Sequence, residues 1–395
     1  MQALTIDVGT GTQDILLFDS EREIENAIRL VLPSPTVLVA GAIRRATRAG
    51  WKVVLTGSTM GGGPSAWAAR DHAAARRPIC ATPEAARTFD DDLDRVQGMG
   101  VRIVAEEEAT RLAEETLTLH LRLSDIWLDS LAIALAPFGI DLRAVDALGL
   151  AVFDHGAAPP GVSDRRFRFE RLGERLDAEP GAGPAVFAYE EGHIPACFTR
   201  LTSGVAAARA WFGRRSHPSI VAMDTGPAAV LGALEDPRAR RSLASGRAVV
   251  AVNVGNFHAL AMRVSTRSGS PPAVGIDAIF EHHTGELDGP SLGSFVGQVA
   301  DGTISNEEVF RSMGHGALVR HGWSPGGRRP LLALTGPRRR LLAGRCVPGL
   351  GQPHLAVPHG DMMQSGSFGL LRALAHRVPG WREPIEAALG RAPLS

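Results

Sequence analysis

Asp7 stands just ahead of the run Gly9-Thr10-Gly11-Thr12-Gln13. Backbone amides and hydroxyls in such a run donate to phosphate oxygens, and a carboxylate beside them can hold the accompanying Mg2+, often through water. Glycine lets the ligand approach because it lacks the Cβ that would stand in the way. An ordinary hairpin turn would need the glycine but neither Asp7 nor the hydroxyls. A second loop, Asn253-Val254-Gly255-Asn256, occupies the place that Asp7-Val8-Gly9-Thr10 occupies in the first, again between two apolar runs. The chain therefore reads as internally duplicated, with two hairpins able to grip one phosphate chain from both sides.

Other reactive groups lie in separate stretches. "TGSTMGGGPS" carries Gly61, Gly62 and Gly63 with flanking hydroxyls; a loop closing over an anionic substrate and a flexible surface loop are equally compatible with it. "DHG" (Asp154, His155), "FEHHTGEL" (Glu281, His282, His283) and "HGD" (His359, Asp361) gather imidazoles and carboxylates in three places. A metal-dependent hydrolase would take His282 or His283, Glu281, His155 and Asp361 as ligands for zinc, iron or manganese, although no HExxH spacing occurs. "SDRRFRFERL", residues 163–172, alternates charge with Phe167 and Phe169 and reads as an edge strand with one wet face; an acidic-substrate site is its lesser reading.

The elements that must carry these groups follow from hydrophobic period. Residues 3–8, 15–18, 36–40, 53–56, 148–153 and 219–223 read as strands, and 106–123 and 203–212 as helices. Residues 157–161 and 179–184 are Pro/Gly-rich loops, and 248–264 is strand, turn and strand. Residues 331–344 run from a strand into a Gly-containing turn and a helix, and 354–375 from a strand through a loop to a small-residue helix start at Gly366. Alternation of strands and helices argues for an α/β protein.

Composition narrows the chemistry. At 395 residues, with 44% hydrophobic residues, the chain can build two cores, and its zero formal net charge gives no footprint for nucleic acid or an anionic membrane. Lys52 is the sole lysine and does not follow a glycine run, which excludes a P-loop. Cys80, Cys197 and Cys346 form no CxxC pair or cluster triad, which disfavours disulfides, a zinc finger and a self-contained iron–sulfur site. The chain enters a strand at once and has no apolar run of roughly 18 residues, so a cytoplasmic protein is expected.

These loops in this order resemble the actin-like ATPase superfamily of hexokinases, heat-shock 70 chaperones and acetate kinases, nearest in pattern to the glycerol and xylulose kinases. The resemblance covers the first hairpin and most of residues 221–375, while 50–199 match no named pattern. It implies a two-domain, ribonuclease H-like fold, residues 1–225 and 226–395, with ATP and Mg2+ in a cleft between the domains. Gly9, Thr10, Gly11, Thr12 and Gln13 with Gly255 and Asn256 would bind phosphates, Asp7 would hold Mg2+, and Thr335, Gly336 and Arg338 would lie by the nucleoside. In "VAMDTGPAAVLGALEDPRARRSLASGRAVVAVNVGN" the kinases' general-base aspartate falls on Asp224, and Ala228, Ala229 and Gly232 supply a small helix face. Asp224 read by itself is also a helix cap. The acceptor would sit by Asp154, His155, Gly61, Gly62 and Gly63.

The expected activity is thus ATP- and Mg2+-dependent phosphoryl transfer to a small molecule, or ATP hydrolysis. A nucleotide-driven switch acting on a protein partner is the other reading that the resemblance allows, and an oligomer is compatible with the chain. Two departures stand out: Asn253 replaces an acid found in many members, and Thr335-Gly336-Pro337-Arg338 replaces a double glycine. "DHG", "FEHHTG" and "GDMM" also resemble a family of that clan sometimes labelled pyruvate formate-lyase activating enzyme-like. That label implies radical chemistry on a cysteine cluster, for which the three cysteines have no suitable spacing.

Overall fold

Period-two apolar runs open the chain as a hairpin of β1 (Gln2–Val8) and β2 (Thr12–Asp19), which sets Asp7 opposite Asp14. The computed structural model describes residues 1–213, 217–267, 273–323 and 326–390. β3 (Ile28–Pro33) pairs antiparallel with β2. The chain then leaves this sheet to build a smaller parallel one from β4 (Lys52–Gly57), β5 (Ile79–Ala81), β6 (Arg102–Ile103) and β7 (Thr118–Leu123), ordered β6-β5-β4-β7. It returns through β8 (Ala147–Val152), β9 (Ala188–Glu190) and β10 (Ser219–Asp224), completing the order β3-β2-β1-β8-β10-β9.

The third sheet repeats the plan of the first. β11 (Val249–Val254), β12 (His258–Arg267) and β13 (Ala273–His283) are antiparallel, with β14 (Gly316–Val319) on the outer edge. β15 (Leu331–Thr335) lies parallel to β11 and β16 (His354–Leu355) parallel to β15, just as β8 is parallel to β1 and β10 to β8. The two hairpins close identically: the Gly9 amide donates to the Thr12 carbonyl and the Gly255 amide to the His258 carbonyl, each at 2.9 Å. The architecture is mixed α/β, with three sheets and 14 α-helices among the described residues, none of them long and apolar enough to cross a membrane.

Two buried helices, Thr225–Ala233 and Ser365–Arg377, share one apolar core with both large sheets: Ala3 and Val221 from one, Val249 and Leu331 from the other. They cross with backbone on backbone. A Cβ on Gly232 would collide with the Ser365 carbonyl, and one on Gly369 with the Ala228 carbonyl. Gly366 sits equally close to the Asp7 carboxyl. The small residues of these helices bring the two halves of the chain together where the hairpin loops meet.

Four sequence expectations change, the first being the helix expected after Thr335, where only the 3-10 turn Arg339–Leu341 forms. Residues 36–40 lie inside the helix Pro35–Ala49, where Ser34 precedes a proline at the first turn and Val39, Ala40, Ile43 and Ala46 form its buried face. Residues 106–123 divide into a helix, Glu106–Ala113, and β7, whose Thr-Leu-His-Leu-Arg-Leu alternation has the period of a strand. Residues 163–172 belong to the helix Asp164–Ala178, which buries Phe167, Arg168, Phe169, Leu172 and Leu176. A buried arginine between two phenylalanines imitates strand alternation.

Candidate active site

The two hairpin loops touch at their tips, where a Cβ on Gly11 would run into the Asn256 side chain. On one side lies a narrow cavity of about 70 Å³, reached by Asp7, Asp14, Thr10, Gly255, Asn256 and Gly336. On the other lies a wider cavity of about 280 Å³, reached by Gly61 to Gly63, Arg200, His155, His258, His283 and Glu281. Ser34 braces the first loop, its hydroxyl donating to the Thr10 carbonyl at 2.7 Å and its amide to the Gly11 carbonyl at 3.1 Å.

In the narrow cavity the carboxyls of Asp7 and Asp14 are cross-strand neighbours, and both are buried. Burial pushes Asp7 up to about 7, although the Thr225 hydroxyl donates to its Oδ1 at 2.5 Å. Asp14 is pushed up to about 8, by burial first and then by the charges of Asp7 and Asp361. Asp14 Oδ1 is buried with no hydrogen-bond partner among the described residues. Asp14 was missed in the sequence; its signal was the two-residue alternation that puts it directly across from Asp7.

Other predicted phosphate and nucleoside contacts divide. Thr10, Thr12, Thr335 and Gly336 line the narrow cavity, whereas the Gly9 amide is spent in closing its own turn. Gln13 lines neither cavity; its side-chain amide donates to the Pro33 carbonyl at 3.0 Å and ties β2 to β3. The Arg338 amide donates to the Val254 carbonyl at 3.0 Å, and its exposed side chain reaches neither cavity.

Asp224 is engaged on both oxygens. Oδ1 caps the helix Thr225–Ala233 by accepting from the Gly226 amide at 3.0 Å. Oδ2 accepts from Arg168 Nη1 at 2.8 Å and from the Asp154 amide at 3.2 Å. It faces a void of only about 20 Å³ and does not line the wider cavity. Arg168 also donates through Nε to Glu281 Oε2 at 2.7 Å, so one buried guanidinium ties a carboxylate of each large sheet. Sequence reading missed Arg168 because its segment imitated a strand. Asp154 is spent in the same way, accepting from the Gly156 and Leu201 amides at 2.9 Å each, and burial raises its carboxyl to about 6.

On the wider cavity the Gly61 amide donates to Asp125 Oδ1 at 3.0 Å, and Asp125 in turn holds Arg200 through Nε at 2.6 Å and Nη2 at 2.8 Å. The glycine loop is thereby anchored where it lines the cavity. His155 and His283 come together there, and His258 and His315 join them. His258 pairs across the strands with His283, and the His315 amide donates to the Glu281 carbonyl at 2.9 Å just ahead of β14. Phe153 stacks on His258 with ring centroids 3.8 Å apart. Burial pushes His155 down to about 3 and carries His258 and His315 well below the ordinary imidazole value, reinforced by neighbouring cations. All three are neutral at pH 7.

His282 points away, its ring nitrogens meeting the His283 carbonyl at 3.0 Å and the Ser312 hydroxyl at 3.1 Å. Asp361 accepts from the Met363 amide at 2.9 Å, on the Asp14 side of the loops. Of the expected donors, His155, His283 and Glu281 border the wider cavity, with Glu281 held by Arg168, whereas His282 and Asp361 lie elsewhere. His258 and His315 escaped notice because each is a lone histidine beside a glycine turn, far from the others in the chain.

Residues 60–341 match the family described as "Putative pyruvate format-lyase activating enzyme (DUF1786)". No curated protein matches the chain.

Proposed function

The chain belongs to that family, and from its geometry we propose an ATP- and Mg2+-dependent phosphotransferase acting on a small molecule. The observation that carries the proposal is the meeting of two equivalent hairpin loops above the buried Asp7–Asp14 pair. The repeated succession of antiparallel and parallel strands supports a two-domain actin-like, ribonuclease H-like arrangement, residues 1–225 and 226–395, with the nucleotide cleft between the domains.

Two neighbouring carboxylates cannot both ionise in a buried site unless a cation accompanies them. The unpartnered Asp14 Oδ1 fits that need, and Asp7 and Asp14 are the residues that would hold Mg2+. The ion would neutralise charge on the phosphate oxygens, the main requirement of phosphoryl transfer. Thr10, Thr12 and Asn256 would orient the phosphates, Gly9 and Gly255, whose amides both close their own turns, would leave room for them, and Thr335 and Gly336 would lie by the nucleoside. The cavity of about 280 Å³ beside Gly61 to Gly63, Arg200 and His155 supports a small acceptor over a protein partner. Asp224, with both oxygens engaged, serves as a positioning residue that holds Arg168 and the helix start.

The family's description names an activating enzyme, but Cys80, Cys197 and Cys346 are free thiols on separate segments and offer no cluster site. Calorimetric titration with a non-hydrolysable ATP analogue, with and without Mg2+, tests the proposal. Mg2+-dependent binding that weakens at least tenfold in Asp7→Asn is expected. Absence of binding in the wild-type protein would remove the nucleotide from the reading.

A further inference from the structure

We propose that His155, His258 and His315 form a binding site for a divalent transition-metal ion that opens onto the wider cavity. The site does not depend on nucleotide binding. One ligand nitrogen from each ring lies within 4.8 Å of the others. The Nε2 atoms of His155 and His315 are 3.3 Å apart. Two imidazole nitrogens at the usual zinc–nitrogen length around a tetrahedral ion are separated by about 3.3 Å. The chain already holds this pair at the separation an ion would impose.

The rings are delivered by rigid elements. His155 follows β8 in the first large sheet, His258 begins β12, and His315 directly precedes β14. Phe153 packs against His258 and fixes its plane. His315 Nδ1 is buried without a partner, and the His155–His315 contact is the only ring hydrogen bond within the group among the described residues. A buried polar atom left unpaired costs about 1–3 kcal/mol, so a cluster with so few internal partners calls for another occupant. Neutral imidazole is also the ligating form.

The donor set selects the ion and its partner. Imidazole nitrogens suit zinc, iron, copper, nickel and cobalt over magnesium or calcium. Three protein ligands with a fourth position facing a cavity are the pattern of a catalytic site and not a structural one. No carboxylate belongs to the group, and Glu281, which borders the same cavity, is held by Arg168. The charge of the ion is therefore uncompensated by its ligands. The open position takes an anionic oxygen: a hydroxide, or a carboxylate or phosphate of the substrate in the cavity. His283 borders the same cavity, 4.5 Å from His315 between ring centroids, and can donate to that oxygen.

The test uses the full-length, tag-free protein, stripped of metal by dialysis against chelator and titrated with Co2+ alone. One equivalent should bind, with visible d–d absorption of the intensity typical of four- or five-coordinate cobalt, and Zn2+ should displace it. His258→Phe and His155→Phe should each weaken Co2+ at least tenfold, while His282→Gln, outside the group, should bind as wild type. Circular dichroism selects folded variants, and the wild-type titration stands by itself if a variant does not fold. Absence of stoichiometric Co2+ binding by the wild-type protein overturns the proposal, as does wild-type affinity in both ring variants or an equal loss in His282→Gln. The ATP-analogue titration is read separately, so failure of the nucleotide reading leaves this result unchanged.

Discussion

Asp14→Asn isolates the carboxylate pair beneath the hairpin loops. Asp7 and Asp14 titrate near 3.8 when unfolded and at about 7 and about 8 in the folded protein. Between roughly pH 5 and 6 the folded chain keeps both protons and the unfolded chain has released both, and towards pH 7 Asp7 begins to lose its own while Asp14 keeps its proton. The folded state therefore binds more protons, and the pair's contribution to stability falls as pH rises. It is whole below the unfolded value and lost as pH climbs through the folded ones. Each retained proton is worth about 1.4 kcal/mol per pH unit. Asn keeps the shape of Asp14 and removes its proton, and it also relieves Asp7 of a like charge. The stability difference between the two proteins should therefore change by on the order of 3 kcal/mol from pH 5 to pH 7, in favour of the variant at the higher pH. The depressed values of His155, His258 and His315 act in the opposite direction over this range, but they are common to both proteins and cancel in the difference. Urea unfolding followed by tryptophan fluorescence at four pH values measures it. At pH 8, Mg2+ at tenfold excess over its dissociation constant should add about 1.4 kcal/mol to the wild-type protein and nothing to Asp14→Asn. Stability curves that stay parallel from pH 5 to 7 would refute the assignment of these carboxyls.

Arg168→Met strands Asp224 and Glu281 without their shared guanidinium and should cost about 3–5 kcal/mol in denaturant unfolding, with part of the loss recovered by adding Glu281→Gln. Gly369→Val should lower the melting temperature sharply or abolish soluble protein, because its side chain would enter the Ala228 backbone, whereas Gly380→Val, with open space around its Cα, should not. Asp236 accepts from the Val357 amide and His354, which hold its carboxyl below the usual range against the effect of burial. That contribution is present above about pH 4 and lost as pH falls further, so Asp236→Asn should be less stable at neutral pH and show a shallower acid limb in the same assay. Gly336, at φ +98°, lies against Asn253 and the Val254 carbonyl, so Gly336→Ala should lower ATP-analogue affinity at least tenfold by calorimetry if the nucleotide reading holds.

The hairpins were legible because their information is local. Alternating apolar residues around glycine specify a strand, a turn and a strand whatever the rest of the chain does, and the repetition at Asn253–Asn256 carried the duplication. The close-packed start at Gly366 was legible for the same reason, since a run of small residues on a helix permits only close contact. The segment 163–172 misled because the placement of Arg168 depends on Asp224 and Glu281, both more than fifty residues away and supplied by the two large sheets. Without those partners a buried arginine contradicts hydrophobic patterning, and an exposed alternating strand is the simpler reading.

The same distinction applies to the site. Sequence alone determined the α/β class, the two glycine hairpins and the carboxylate Asp7 ahead of the first, because each rests on neighbours a few residues apart. Tertiary structure decided that Asp224 is engaged by Arg168, that Asp14 and Asp7 form a buried pair, and that His155, His258 and His315 converge from β8, β12 and the approach to β14. Those outcomes depend on which strands become neighbours and on how deeply each polar group is withdrawn from water. Both are set by the crossing of the two small-residue helices that joins the sheets, an interaction between segments more than a hundred residues apart.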